Sequence, residues 1–260
     1  MSVTTKTPVV ELENVSRRFG HTQAVRDFNL SIHSGEVIGL VGDNGAGKST
    51  IVKMISGYVA PTSGTIKVMG ERVHFRSPKE ARAAGIETVY QDLAIIDDIA
   101  LWRNFFLGRE VNKRLLGMRF LQRKMMAEIC SEHLNEVGLY SVESPQQTAA
   151  TLSGGERQSL AISRAIYFES RMLCLDEPVA ALSVRETRRV FDAIEHARAK
   201  GLGVLYIDHN MNHVLPVADA IAIMHRGSIS RILGRDEVSA EELAHIVAES
   251  GRREKGQKEE

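Results

Sequence analysis

Cysteine is almost missing from this chain. Its 260 residues hold two, Cys130 and Cys174, far apart in sequence. That rules against a disulfide framework and favours a reducing compartment. Net charge is missing too, since 33 basic residues meet 33 acidic ones. No global field therefore recruits nucleic acid or an anionic lipid surface. No apolar run approaches the roughly 20 residues needed to span a bilayer. Met1 to Pro8 is polar and lacks the apolar core of a secretion signal, so a soluble, cytosolic chain is expected. There is no internal repeat and no low-complexity tract. The length permits a full core in one domain, or one domain with a subdomain.

What is present is organised around Gly42-Asp43-Asn44-Gly45-Ala46-Gly47-Lys48-Ser49-Thr50, which fits the phosphate-binding pattern G-x-x-x-x-G-K-[ST]. The apolar run Val37-Ile38-Gly39-Leu40-Val41 precedes it, and a helical pattern (Ile51, Met54, Ile55, Tyr58) follows. Strand, glycine-rich loop and helix are the three parts the chemistry needs. Glycines let backbone N–H groups wrap the phosphates, and the helix N-terminus adds the positive end of its dipole. In this reading Lys48 reaches the β- and γ-phosphates, Ser49 binds Mg²⁺ and Thr50 touches the α-phosphate. A glycine loop that merely turns the chain is the plainer alternative, and it leaves the flanking pattern unexplained.

Around this loop the pattern predicts an α/β fold. Residues 9–15 and 28–32 read as β segments, with Phe19-Gly20 between them, and 64–68 and 72–75 as a second short pair. These four would form a small antiparallel layer. Ser77-Pro78-Lys79-Glu80 reads as a capping box that opens a short helix ending at Gly85. Ile86–Tyr90 reads as a strand. From Gln91-Asp92 to about Pro145 the chain changes character. Phe120 to Gly138 predicts one amphipathic helix, with Leu121, Met125, Ile129, His133 and Val137 on its apolar side. Apolar runs at 172–175, 203–207 and 220–224 then alternate with helix 184–199, as in a parallel sheet covered on both faces. The charged tail from Gly251 is expected to be frayed.

Polar groups fall at the ends of the predicted parallel strands, where such sheets bind ligands. Asp176 would hold Mg²⁺ through water, and Glu177 could position and polarise an attacking water. Gln91 and His209 also follow strands; either alone is an ordinary strand end, but together with the loop they suggest γ-phosphate sensing. Leu152-Ser153-Gly154-Gly155-Glu156-Arg157-Gln158 opens another helix through a Ser153/Glu156 capping box. Two glycines in a first turn weaken a helix, but they permit close backbone approach to an anion.

In order along the chain, the loop at 42–49, Gln91, the Leu-Ser-Gly-Gly-Glu run at 152–156, Asp176-Glu177 and His209 resemble the nucleotide-binding subunit of an ATP-binding cassette (ABC) transporter. The likeness covers about residues 9 to 230. It implies a P-loop ATPase core with a mostly parallel sheet, a small antiparallel β layer and a helical subdomain insertion at about 92–158. Residues 9–250 would be a single ATPase domain and 251–260 its tail. Implied ligands are ATP and Mg²⁺, the metal held by Ser49, Gln91 and Asp176. Phe19 falls where the family stacks an aromatic on adenine. Two copies would sandwich ATP, with Ser153, Gly154 and Gly155 of one against the γ-phosphate on Lys48 of the other.

A narrower likeness lies in Phe75-Arg76-Ser77-Pro78, in Gly85 to Leu93, in Phe106-Leu107-Gly108-Arg109-Glu110 and in Glu177 to Ser183. These resemble the monosaccharide-importer branch of fructose or ribose type. Implied partners are a second copy of the chain, membrane permease subunits and, indirectly, an extracytoplasmic sugar-binding protein, with no nucleic acid. The implied location is peripheral, on the cytoplasmic face of the inner membrane. Departures are Ser183, where many members carry aspartate, and Val179, where threonine is common. Ser183 with Glu186 keeps a capping box, so communication between the two ATP sites is the property put in question. The rival readings are a soluble ABC protein acting on nucleic acid or the ribosome, a regulatory ATP-binding module without turnover, and export of another small molecule.

Overall fold

The computed structural model describes residues 7–115, 118–140 and 142–252. The chain opens with a long hairpin, β1 (Val10–Phe19) and β2 (Thr22–Ile32), turning at Gly20-His21. Strand β3 (Val37–Val41) leads through the glycine loop into α1 (Lys48–Ile55). A second hairpin, β4 (Ser63–Val68) and β5 (Glu71–Val73), is followed by α2 (Pro78–Ala83) and β6 (Ile86–Val89). Then come α3 (Leu101–Phe105), a hairpin of β7 (Asn112–Leu115) and β8 (Met118–Leu121), α4 (Arg123–Glu136) and α5 (Gly154–Tyr167). The last third holds β9 (Met172–Asp176), α6 (Val184–Ala199), β10 (Gly203–Ile207), α7 (Met211–Val214), β11 (Ala220–His225), β12 (Ser228–Gly234) and α8 (Ala240–Arg252).

The central sheet has the order β12-β11-β3-β10-β9-β6, all parallel except the antiparallel edge strand β12. The second sheet, β2-β1-β4-β5, is antiparallel. The apolar runs are explained by burial on both faces. Leu173, Leu175, Val204 and Tyr206 join the core under the helices, whereas Met172, Cys174, Leu205 and Ile207 face α1 and the antiparallel sheet. Side chains alternate across a strand, so a run that is apolar at every position fits a strand covered twice. Both cysteines are free and buried, and burial pushes the Cys130 thiol up to about 12.

Three expectations need correction. The stretch from Phe120 is not all helix. Phe120 and Leu121 end a hairpin strand, and α4 starts at Arg123 with its buried side on Met126, Ala127, Cys130 and Leu134, leaving Met125 exposed. A four-residue repeat drifts around a 3.6-residue helix, and the true stripe lies one residue further on. At Ser77 the capping box is half made: Ser77 accepts from the Glu80 N–H at 3.4 Å, but the Glu80 carboxylate takes the Arg76 N–H at 2.8 Å. Helix α8 continues to Arg252, into the segment expected to fray, and the rest of that segment lies outside the described residues. Strand β12 and the β7–β8 hairpin had no counterpart in the reading of the sequence.

Candidate functional site

The glycine loop lies at the C-terminal end of β3, with Gly47 as the N-cap of α1 in the left-handed conformation at φ 108°. A Cβ on Gly47 would stand 2.5 Å from the Ala24 carbonyl oxygen, and one on Gly42 would stand 2.2 Å from that of Met224. Both positions therefore need glycine. No side chain caps α1, so the N–H groups of Lys48 and Ser49 are left for a ligand. Lys48 is buried and folds back over the loop, donating to the carbonyls of Gly42 at 2.5 Å and Asp43 at 3.1 Å. Burial lowers its pKa, opposed by the carboxylates of Glu177, Asp43, Asp176 and Asp208. Asp43, Asn44, Gly45 and Ser49 are exposed along the loop, Ala46 is buried, and Thr50 donates its N–H to the Gly47 carbonyl at 3.0 Å.

Asp176 closes β9, beside Ile207 at the end of β10. Burial raises its pKa, with the Glu177 charge adding to the effect, while Lys48 and Lys53 act against it. Glu177 stands at φ 48°, donates its N–H to the Ile207 carbonyl at 2.8 Å and meets His209 Nδ1 through Oε1 at 3.0 Å. A non-glycine residue at positive φ is a strained position of the sort functional sites hold. Gln91 is exposed and shares with Asp176, Lys53 and Tyr58 a hollow of about 370 Å³. Phe19 is 43% exposed, with the Arg17 guanidinium 4.5 Å over its ring, so one ring face is taken.

Four carboxylates acting on one buried lysine leave an excess of negative charge, which suits a divalent cation. Among the described residues no cluster of three or more His, Cys, Asp or Glu could hold a metal. A cation here would therefore rely on phosphate, water, the Ser49 hydroxyl and Asp176, which is how Mg²⁺ is commonly bound.

Ser153, Gly154 and Gly155 form a separate corner. The Ser153/Glu156 capping box opens α5, and the Ser183/Glu186 box opens α6 beside it. Glu186 joins the two: Oε2 takes the Ser183 N–H at 3.0 Å, and Oε1 takes that of Gly155 at 3.5 Å. These bonds lower the Glu186 pKa to about 2, those from Ser183 first. A Cβ on Gly154 would meet Leu182 at 2.7 Å, and one on Gly155 would meet the Glu186 backbone at 3.0 Å. Close packing of α5 on α6 and on the residue that leads into it is thus a reason for both glycines inside one copy, a reason that cannot be read from the helix start alone.

Sequence reasoning passed over Asp208, which is fully buried behind His209 and bonded to His213 Nδ1 at 3.0 Å. The available signal was a carboxylate ending an apolar strand with a histidine five residues on.

The family model for "ABC transporter" matches residues 25–180. The chain is 41% identical over 239 residues to the xylose/arabinose import ATP-binding protein XylG of Sulfolobus acidocaldarius, covering 92% of this chain and 93% of that one. It is 43% identical over 223 residues to the fructose import ATP-binding protein FrcA of Rhizobium meliloti, covering 85% and 86%. The ribose import ATP-binding protein RbsA 2 of Escherichia coli O157:H7 is 36% identical over 241 residues, and the match spans 93% of this chain but 46% of that protein. A solved nucleotide-free ATP-binding cassette from an ABC transporter shares the fold, with TM-score 0.80 at 23% identity over 94% of this chain and 98% of that one.

Proposed function

The chain belongs to the ABC transporter ATP-binding family, and from that premise we propose that it is the ATP-hydrolysing subunit of a monosaccharide importer, with fructose, ribose or xylose as the type of cargo. The observation that carries the reading is the convergence of Lys48, Asp176, Glu177 and His209 at the ends of β3, β9 and β10.

On ATP binding Lys48 exchanges the Gly42 and Asp43 carbonyls for β- and γ-phosphate oxygens, and the free N–H groups of α1 take the rest of the phosphate charge. Phe19 stacks on adenine with the ring face that Arg17 leaves open. Ser49, Gln91 and, through water, Asp176 would hold Mg²⁺, which would supply charge neutralisation. Glu177 orients a water whose oxygen attacks the γ-phosphorus, and its carboxylate accepts the proton as the bond to the ADP oxygen breaks. His209 donates to a γ-phosphate oxygen. Ser153, Gly154 and Gly155 of a second copy close the site from the other side. None of these three is bonded to the loop residues within the described chain, and such separation is what a shared site requires.

Residues 9–250 act as one ATPase domain with the segment 92–158 as its insertion, and the partner permease sits against the junction. A cavity of about 320 Å³ lies there between β6 and α5, lined by Tyr58, Glu87, Tyr90, Leu93, Ile95 and Arg164. Burial lowers the Arg164 pKa and raises that of Tyr90, whose hydroxyl lies within reach of Ser56 and Thr88. No helix among the described residues is long and apolar enough to cross a membrane, so attachment at the cytoplasmic face through a permease fits.

Affinity capture of the tagged chain from gently solubilised native membranes, with mass spectrometry of its companions, tests this. A multi-span permease at near-equal stoichiometry is the expected result. Repeated recovery of soluble partners alone overturns the transport reading and leaves an ATPase with other work.

A further inference from the structure

A fully buried carboxylate has to be held by partners, because desolvation of an isolated charge is costly. Asp208 follows β10 with none of its surface exposed. Its Oδ1 accepts the Asn210 N–H at 2.9 Å, and its Oδ2 meets His213 Nδ1 at 3.0 Å. The protons of this circuit can be placed. Asn210 Oδ1 accepts the Asn212 N–H at 3.1 Å, so its amide nitrogen is the group facing His213 Nε2 at 3.1 Å. That nitrogen donates, which makes Nε2 an acceptor and puts the His213 proton on Nδ1, toward Asp208. Asp208 then bonds to a neutral histidine and keeps its charge. The frame around it is tight: His213 rides on α7, and a Cβ on Gly39 of β3 would stand 2.2 Å from Val214 of that helix.

The retained charge faces the reaction. Asp208 Oδ1 lies 3.6 Å from His209 Nδ1, whose other neighbour is Glu177 Oε1 at 3.0 Å. The imidazole therefore turns Nδ1 toward two carboxylates and leaves Nε2 for the ligand. When Glu177 accepts a proton from water it loses its charge, whereas Asp208 stays sealed behind the ring.

We propose that Asp208, anchored by His213 and Asn210, is a positioning residue for His209: it fixes the ring and holds a permanent negative charge against Nδ1, so that Nε2 can donate to the phosphate throughout turnover. The inference rests on the reading of His209 as a phosphate contact. A bare turn-forming role asks less of Asp208. Accepting the N–H two residues on needs an acceptor but no charge, and asparagine would serve as well.

Asp208→Asn separates the two roles, since it keeps the shape and the Oδ1 acceptor for the Asn210 N–H while removing the charge and turning an amide NH2 toward His213. In ATPase assays of the full chain it should lower kcat by about tenfold or more, as loss of a general acid's support does, with KM for ATP within about twofold. His213→Phe should behave in the same way, and His213→Gln, which restores a donor, should recover most of the loss. Turnover of Asp208→Asn within about twofold of the parent, beside a disabled His209→Ala, overturns the proposal. Parental turnover in His209→Ala removes instead the reading on which the proposal stands. Should Asp208→Asn melt early, ¹⁵N resonances of the His209 ring in the parent decide: a protonated Nδ1 is expected, and a bare Nδ1 overturns the assignment.

Discussion

The two glycine-rich corners of this molecule spend their glycines differently. At the phosphate loop Gly47 has a positive φ and touches the Ala24 carbonyl, so backbone shape and the approach of another strand both forbid a side chain. At the start of α5 neither Gly154 nor Gly155 has positive φ; a Cβ on Gly154 would meet the Leu182 side chain just before α6, and one on Gly155 would meet Glu186 of α6 itself. The first corner is shaped to leave N–H groups open, and it gathers four carboxylates around one lysine. The second already donates its Gly155 N–H to Glu186 and is seated on a helix. One corner is built as a site in itself. In the proposed reading the other is a platform whose ligand arrives with another copy.

The strongest way to break this comparison is to disable chemistry in the first corner without touching the second. Glu177→Gln should slow ATP turnover by about 10²-fold or more, the scale of a lost general base, with ATP affinity retained. Phosphate release and nucleotide binding measured on one preparation check it, and near-parental turnover would remove Glu177 from the base role. Next in size are the glycines. Gly47→Ala should abolish ATP binding in the isolated chain. Gly155→Ala should leave that binding in place while costing about 1–3 kcal/mol of stability, as overpacking does. Equal loss of binding in both variants would erase the distinction. Smaller again is Ser183→Ala, which removes the N-cap of α6. The expected cost is about 1 kcal/mol in a denaturant melt, with the capping bonds of α5 unaffected.

The first corner was legible in the sequence because its demands are local. A strand, a loop with glycines at fixed spacing and a helix are contiguous, and Asp176-Glu177 and His209 each end an apolar run. The second corner was legible only as a capping box. The residues that exclude side chains at Gly154 and Gly155, Leu182 and Glu186, lie some thirty residues later, and pairing across such a gap leaves no periodic trace. The same reason hid Asp208, whose partners were visible nearby but whose burial depends on Gly39 admitting α7 against β3. In the segment between β6 and α5 an apolar repeat of four suggested one long helix, and its first residues lie in a hairpin strand instead. Short strands outside the main sheets carry too few residues for a period to declare itself.

The least conspicuous effect concerns the carboxylate that ties the two helix starts together. Glu186 titrates near 2 rather than at its ordinary 4.5, because Ser183 and then Gly155 donate hydrogen bonds to its charged form. A pKa depressed on folding stabilises the native state above the unfolded value, and that contribution is lost as pH falls through the folded one. The Glu186 contribution is thus complete above about pH 4.5 and fades toward pH 2. Glu186→Gln should melt below the parent at neutral pH, and the gap in Tm should close across that acidic window while other carboxylates destabilise both proteins alike. Since solvent and salt reach Glu186, a modest gap is expected. A gap that stays constant from neutral pH to pH 2 would mean that shape, not charge, joins α5 to α6. Because Glu186 reaches Gly155, loosening of α6 at acid pH should also be felt at the platform that the second copy's ATP would meet.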